Sequence, residues 1–280
     1  MNRFTVKIIQ KVFKFSSTVA PGICALLAFQ QWFKTQRHSP PKREIAWTSS
    51  ATQKKLPTSF GELNLLTWPG TGPRVLLVHG WSGRASQMGS FAKPLTDLGF
   101  EVIAVDLPGH GASYGNTSSL PESAQAICDI EKFIGPIHTL IGHSFGGAVC
   151  LLAHSEGVKI QALVTISAPS KLEWLLALYV DFLNLSDKAK RKLITLLENK
   201  YGKNIWTRCD VEKTKLDLKS SGLIIHDYDD KDVPIQHAEV IANATSARLL
   251  KTSRLGHRRI LRNKDVINEI ATFIRSRQNS

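Results

Sequence analysis

Residues 142–146 read Gly-His-Ser-Phe-Gly, a G-x-S-x-G pattern centred on Ser144 and extended by Gly147. The apolar run 137–142 precedes it, and the apolar stretch 144–155 follows at helical spacing, which puts the serine where a strand meets a helix. A serine on so tight a turn is held in a strained conformation that lifts its hydroxyl clear of the sheet. Glycines are needed on either side because larger side chains would collide with the strand and helix backbones. The start of the helix adds partial positive charge where an oxyanion would develop. An ordinary role as helix N-cap would explain the serine but not both glycines.

A serine hydroxyl is a weak nucleophile, and it needs a base that a carboxylate orients. Behind an elbow of this kind the acid and then the histidine are expected later in the chain. The strand 222–226 is followed by Asp227, Asp229, Asp230 and Asp232, and the strand 248–251 by Gly256 and His257. Both groups fall at carboxyl ends of strands, where sites gather in open α/β sheets. Spacing does not choose among the four aspartates. Those left over are expected to be solvated loop carboxylates, with Asp232 a candidate cap for the next helix. Its position after the last strand favours His257 as the base over a surface histidine in the basic run with Arg258 and Arg259. His79, His110 and His143 precede the acid and are expected to be hydrogen-bonding residues of their turns, and His226 a strand-end residue.

These residues need a frame to position them. A hairpin or short strands are expected over 58–68. Strands are expected over 74–79, 101–106, 137–142, 160–167, 222–226 and 248–251, and helices over 87–98, 121–134, 144–155, 235–242 and 265–275. Such alternation builds βαβ units around a mostly parallel central sheet flanked by helices. The rhythm breaks over about 170–219, where Leu172, Leu175, Leu176, Tyr179 and Leu183 fall at helical spacing, as in a helical cap insertion. Trp174 and Trp206 there either line an acyl pocket or simply pack. Lys188, Lys190, Arg191 and Lys192 read as a solvated face. The expected division is an N-terminal helical segment with a basic, Pro-containing linker over 1–44, then one α/β domain with its insertion over 45–280.

Of the 280 residues, 42% are hydrophobic and 21% charged, enough apolar surface for a sizeable core. The 36 Lys and Arg against 23 Asp and Glu leave a net charge of +13. The basic residues are spread out, without zinc-finger spacing or aromatic RNA-binding patterns, so no nucleic-acid partner is expected. Cys24, Cys128, Cys150 and Cys209 are far apart and form no metal-ligand spacing, which fits a reducing, cytoplasmic compartment. Residues 19–29 are too few and too interrupted by Pro21 and Gly22 to span a bilayer. The N-terminal helix is expected to pack on the domain or to lie on a membrane as a peripheral contact, with a cleaved signal as the alternative.

Five segments together resemble the α/β-hydrolase superfamily: Val78-His79-Gly80-Trp81, the turn from Asp106 to Ser113, the GHSFGG elbow, Asp230 to Pro234, and Gly256-His257. The resemblance covers about residues 58–275 and implies the α/β-hydrolase fold. Its D-x-x-V-P pattern selects Asp230 as the acid beside Ser144 and His257. It also implies an oxyanion hole formed by the backbone N–H groups of Trp81 and Phe145, with no cofactor and no metal. The implied activity is a serine hydrolase, a carboxylesterase on small-molecule esters of small to medium acyl chains, working through an acyl-enzyme. The same machinery serves thioesterases, lipases and carbon–carbon bond hydrolases. A non-catalytic binding protein of the same fold is the remaining alternative, although such proteins usually lose a triad member. Oligomeric state is not legible.

Overall fold

The computed structural model describes residues 3–278. The strands are β1 (Thr52–Thr58), β2 (Gly61–Trp68), β3 (Arg74–Val78), β4 (Glu101–Asp106), β5 (Thr139–His143), β6 (Ala162–Ile166), β7 (Gly222–Asp227) and β8 (Arg248–Thr252). They form one sheet in the order β1-β2-β4-β3-β5-β6-β7-β8. The β1–β2 and β2–β4 pairings are antiparallel, and every pairing from β4 to β8 is parallel. All positions of β5, β6 and β7 are buried, as they must be in parallel strands covered on both faces.

The helices are α1 (Arg3–Val19), α2 (Pro21–Trp32), α3 (Lys42–Thr48), α4 (Ala92–Thr96), α5 (Leu120–Ile134), α6 (Phe145–Ser155), α7 (Leu172–Leu183), α8 (Asp187–Tyr201), α9 (Ile205–Arg208), α10 (Gln236–Thr245), α11 (Gly256–Arg259) and α12 (Lys264–Arg275). The chain divides into two compact units, one of Met1–Lys34 with Lys171–Asp210, the other of Thr35–Ser170 with Val211–Ser280.

The larger unit holds the sheet. Val75, Leu77, Val102, Ile141, Val164 and Ile225 form one buried cluster with Phe91 and Phe100 and with Val266, Ile267, Ile270 and Ile274 of α12. The last four recur at helical spacing, and Asn263 caps the helix by accepting the Val266 N–H at 3.0 Å. Each such side chain, fully buried, contributes about 1.5–3 kcal/mol.

In the smaller unit the segments at its two ends share a core. Ala25, Ala28 and Phe33 cluster with Leu176, Val180, Leu183, Leu193 and Leu197, and Ile9, Phe13 and Trp206 pack against them. Ser186 joins the segments by donating twice to Ser17. The Ser186 N–H donates to Ser17 Oγ at 3.0 Å, and the Ser186 hydroxyl to the Ser17 carbonyl at 2.5 Å. Tyr179 donates to the Ala28 carbonyl at 2.9 Å.

Three elements depart from the sequence expectations. The helix expected over 87–98 is a 3₁₀ stretch, Ala85–Phe91, followed by the short α4. Pro94 explains the break, since it lacks an N–H and its ring would clash with the carbonyl four residues back. The hairpin begins at Thr52 instead of 58; Pro57 is tolerated because β1 is an edge strand. The linker regains structure at Lys42, where α3 starts directly after Pro41.

Candidate active site

From β3 the chain passes to β4 on one side and later to β5 on the other. Beyond the carboxyl ends of β3 and β5 there is therefore a crevice, the position that open α/β sheets give to ligands. Gly80 and Trp81 follow β3 there, and Ser144 follows β5. The Ser144 backbone has φ 53° and ψ −123°, a left-handed conformation strained for any residue with a Cβ. Its N–H donates to the Ile166 carbonyl at 2.8 Å and its carbonyl accepts the Gly147 N–H at 2.9 Å, so the elbow is fixed on both sides. A Cβ on Gly146 would run into the Val78 and His79 carbonyls, and one on Gly142 into the Gly146 carbonyl.

The loops after β7 and β8 bring the acid and the histidine together. His257 Nδ1 lies 2.8 Å from Asp230 Oδ2, with the aspartate side chain fully buried. The other oxygen, Oδ1, accepts the N–H groups of Asp232 and Val233, each at 2.9 Å. Burial by itself would raise the Asp230 pKa. Hydrogen bonds from His226, His257 and the Val233 N–H outweigh it and hold the carboxyl well below the usual carboxylate range. With Asp230 on Nδ1, His257 keeps Nε2 for a reacting group.

The neighbouring acids do different work. Asp227 is buried, not solvated as expected. It accepts the N–H groups of Asp229, Leu255 and Gly256 and the Thr252 hydroxyl, at 2.7–3.1 Å. Burial pushes its pKa up, but these four donors prevail and its carboxyl sits below the ordinary value. Asp229 accepts the Arg254 N–H at 2.6 Å. Asp232 is exposed and caps nothing: α10 begins after Ile235 without a side-chain cap.

The turn histidines are structural. His79 accepts the Leu107 N–H at 3.1 Å, and His110 accepts the Ser82 N–H at 3.0 Å. His143 Nε2 donates to the His257 carbonyl at 2.8 Å, with the two rings 4.7 Å apart. Burial above all lowers the pKa of all three, to about 4 for His79 and about 3 for His110 and His143. They are neutral at neutral pH. His226 has more than a strand-end place. It is fully buried, donates from Nε2 to the Val233 carbonyl at 2.8 Å and lies 3.5 Å from Asp230 Oδ2. Its sequence signal is the spacing of four residues to Asp230.

Trp81 and Phe145 are neighbours, their rings edge-on at 5.0 Å. The Trp81 N–H has no backbone acceptor among the described residues, and the Phe145 N–H, in the first turn of α6, has no partner within its helix. Ser144, His257 and Trp81 line one cavity of about 450 Å³ within the larger unit, with Arg43, Arg258 and Arg262 also on its wall. Arg84 and Glu44 on the same wall form an ion pair at 2.7 Å.

Residues 75–210 match the model of the alpha/beta hydrolase family. The serine hydrolase-like protein of Homo sapiens is 31% identical over 104 residues, which is 35% of this chain and 51% of that protein. The pimeloyl-(acyl-carrier protein) methyl ester esterase of Xanthomonas campestris pv. campestris is 35% identical over 103 residues, 35% of this chain and 38% of that protein. The chain thus matches only about half, or less, of these relatives' length. Alpha/beta hydrolase domain-containing protein 10 from mouse superposes with a TM-score of 0.62 at 20% identity, over 81% of this chain and 98% of that one, a likeness of fold. Its sheet order and the family match over residues 75–210, just under half of the chain, give the protein the α/β-hydrolase fold.

Proposed function

We propose that the protein is a serine hydrolase that cleaves carboxylic esters of small to medium acyl chains through an acyl-enzyme. The observation that carries this reading is the 2.8 Å contact of His257 Nδ1 with buried Asp230, in a cavity that His257 shares with the strained Ser144. Ser144 Oγ attacks the ester carbonyl carbon while His257 Nε2 takes its proton. Asp230 holds the imidazole in the tautomer this requires and stabilises the imidazolium. The N–H groups of Trp81 and Phe145 receive the oxyanion, where one lost donor typically lowers kcat by about 10²–10³. Collapse of the intermediate expels the alcohol, which takes the proton from His257. His257 then deprotonates water, whose oxygen attacks the acyl carbon and releases the acid with Ser144 restored.

The test is hydrolysis of p-nitrophenyl esters from acetate to palmitate by the wild type and Ser144→Ala, with fluorophosphonate labelling of both. Activity that peaks at short to medium chains, with hydrolysis and labelling both lost in Ser144→Ala, is the expected outcome. A folded wild type that neither hydrolyses any ester nor takes the label at Ser144 would sink the proposal.

A further inference from the structure

Seven of the fourteen large apolar side chains left exposed among the described residues fall on α1 and α2. On α1 they are Ile8, Val12, Phe15 and Val19, between 46% and 73% exposed, and on α2 they are Ile23, Leu26 and Leu27. Steps of four, three and four residues put the α1 set in a single row along the helix. The row is not the packing face of α1, which is supplied by Ile9, Phe13 and the buried Ser17. A helix with a second, uncovered apolar row is unusual in a water-facing surface.

Lys7, Lys11 and Lys14 each stand one residue before Ile8, Val12 and Phe15, so they form a parallel row about 100° round the helix. None of the three is ion-paired among the described residues. Before Glu44 the chain has eight basic residues and no acidic one. No helix among the described residues is long and apolar enough to cross a membrane. An uncovered apolar row flanked by lysines instead suits a helix lying in the plane of a bilayer surface. A second copy of this chain fits the face poorly, because it would bring lysine rows and two net charges of +13 together.

We propose that α1 and α2 dock the protein on an anionic lipid bilayer. Ile8, Val12, Phe15 and Val19 enter the acyl boundary while Lys7, Lys11 and Lys14 meet lipid phosphates. This docking does not depend on the hydrolase reading, and its test needs no substrate.

The full-length chain is floated with vesicles of phosphatidylcholine alone and with vesicles containing one third phosphatidylglycerol. Binding is expected on the anionic vesicles and weakly or not at all on the neutral ones. Lys7→Gln, Lys11→Gln and Lys14→Gln together should lower partitioning by about fivefold per lysine. Phe15→Ser with Val19→Ser should lower it by more than about tenfold. The replaced side chains are already exposed, so the thermal midpoint should hold; if the serine variant melts early, the lysine variant still decides. Four results would overturn the proposal: no binding by the wild type, equal binding to both vesicles, binding unchanged in the variants, or a lipid-free dimer that the serine variant dissolves.

Discussion

The carboxylate of Asp227 accepts the Gly256 N–H at 2.9 Å, one residue before the histidine that faces Asp230. With the Leu255 N–H and the Thr252 hydroxyl, this ties the loop after β8 to the end of β7. Asp227→Ala leaves those donors without their acceptor, a loss of about 1–3 kcal/mol for each buried one left unpaired. If Asp227 positions His257, kcat for ester hydrolysis falls by about 10² with KM little changed. Denaturant melts and steady-state kinetics on Asp227→Ala and Asp227→Asn measure both effects. An unaltered kcat would leave Asp227 with a purely structural role.

Gly146 packs its Cα against the backbone that leaves β3. Because a Cβ there would meet the Val78 and His79 carbonyls, Gly146→Ala must push α6 away from the sheet. Overpacking of this kind typically destabilises by about 1–3 kcal/mol. A lowered thermal midpoint and slowed fluorophosphonate labelling are expected together. Wild-type values for both would show that the elbow is looser than described.

Three buried histidines make the fold acid-labile. His79, His110 and His143 have pKa values of about 4, about 3 and about 3, against 6.5 for a free histidine. Below 6.5 the unfolded chain takes up protons that the folded chain refuses, so stability is lost as the pH falls from 6.5 toward these values. The slope is about 1.4 kcal/mol per pH unit for each histidine. Urea melts at about pH 7 and about pH 5 should show this decline, and a flat profile would contradict it. Asp227 and Asp230 act at lower pH. Their folded pKa values are depressed, so their contribution is complete above the unfolded value and is lost as acid protonates them.

The cavity wall carries Arg43, Arg84, Arg258 and Arg262 against Glu44 and Asp232, and Glu44 is already paired with Arg84. Such a surplus favours an anionic substrate. A p-nitrophenyl half-ester of a dicarboxylic acid should show kcat/KM about tenfold above its neutral methyl diester at low ionic strength, with the advantage shrinking as salt screens it. Arg258→Gln with Arg262→Gln should bring the ratio toward one. A ratio near one in the wild type at low salt would mean that the arginines do not act on the substrate.

The elbow was legible because its signal is local: Gly142, Ser144 and Gly146 fall within five residues, although the carbonyls that exclude a Cβ at Gly146 come from Val78 and His79, far off in sequence. Asp230 and His257 were legible as strand-end residues, and the family pattern singled out the acid that meets the histidine at 2.8 Å. The role of Asp227 was not, because nothing near it in sequence shows that Gly256 stands opposite, and the four-residue spacing from His226 to Asp230 does not by itself say that the two side chains meet. The core joining α1 and α2 to α7 and α8 was hidden for the same reason. Helical spacing marks Phe13, Ala28 and Leu176 as apolar, but it does not say which apolar faces meet. The break at Pro94 was within reach, since a proline inside a helical pattern is itself a stop signal.

The smaller unit is assembled from Met1–Lys34 and Lys171–Asp210, with residues 35–170 intervening. During synthesis α1 and α2 leave the ribosome well ahead of Leu176, Leu193 and Leu197, which complete their core and follow only after that intervening stretch has been made. Until then both apolar sides of the N-terminal helices stand open, and closing so long a loop carries an entropic toll and slows folding. The nascent chain therefore offers chaperones or lipid two adhesive helices for much of its translation, and α1 and α2 are made long before the residues that complete their core.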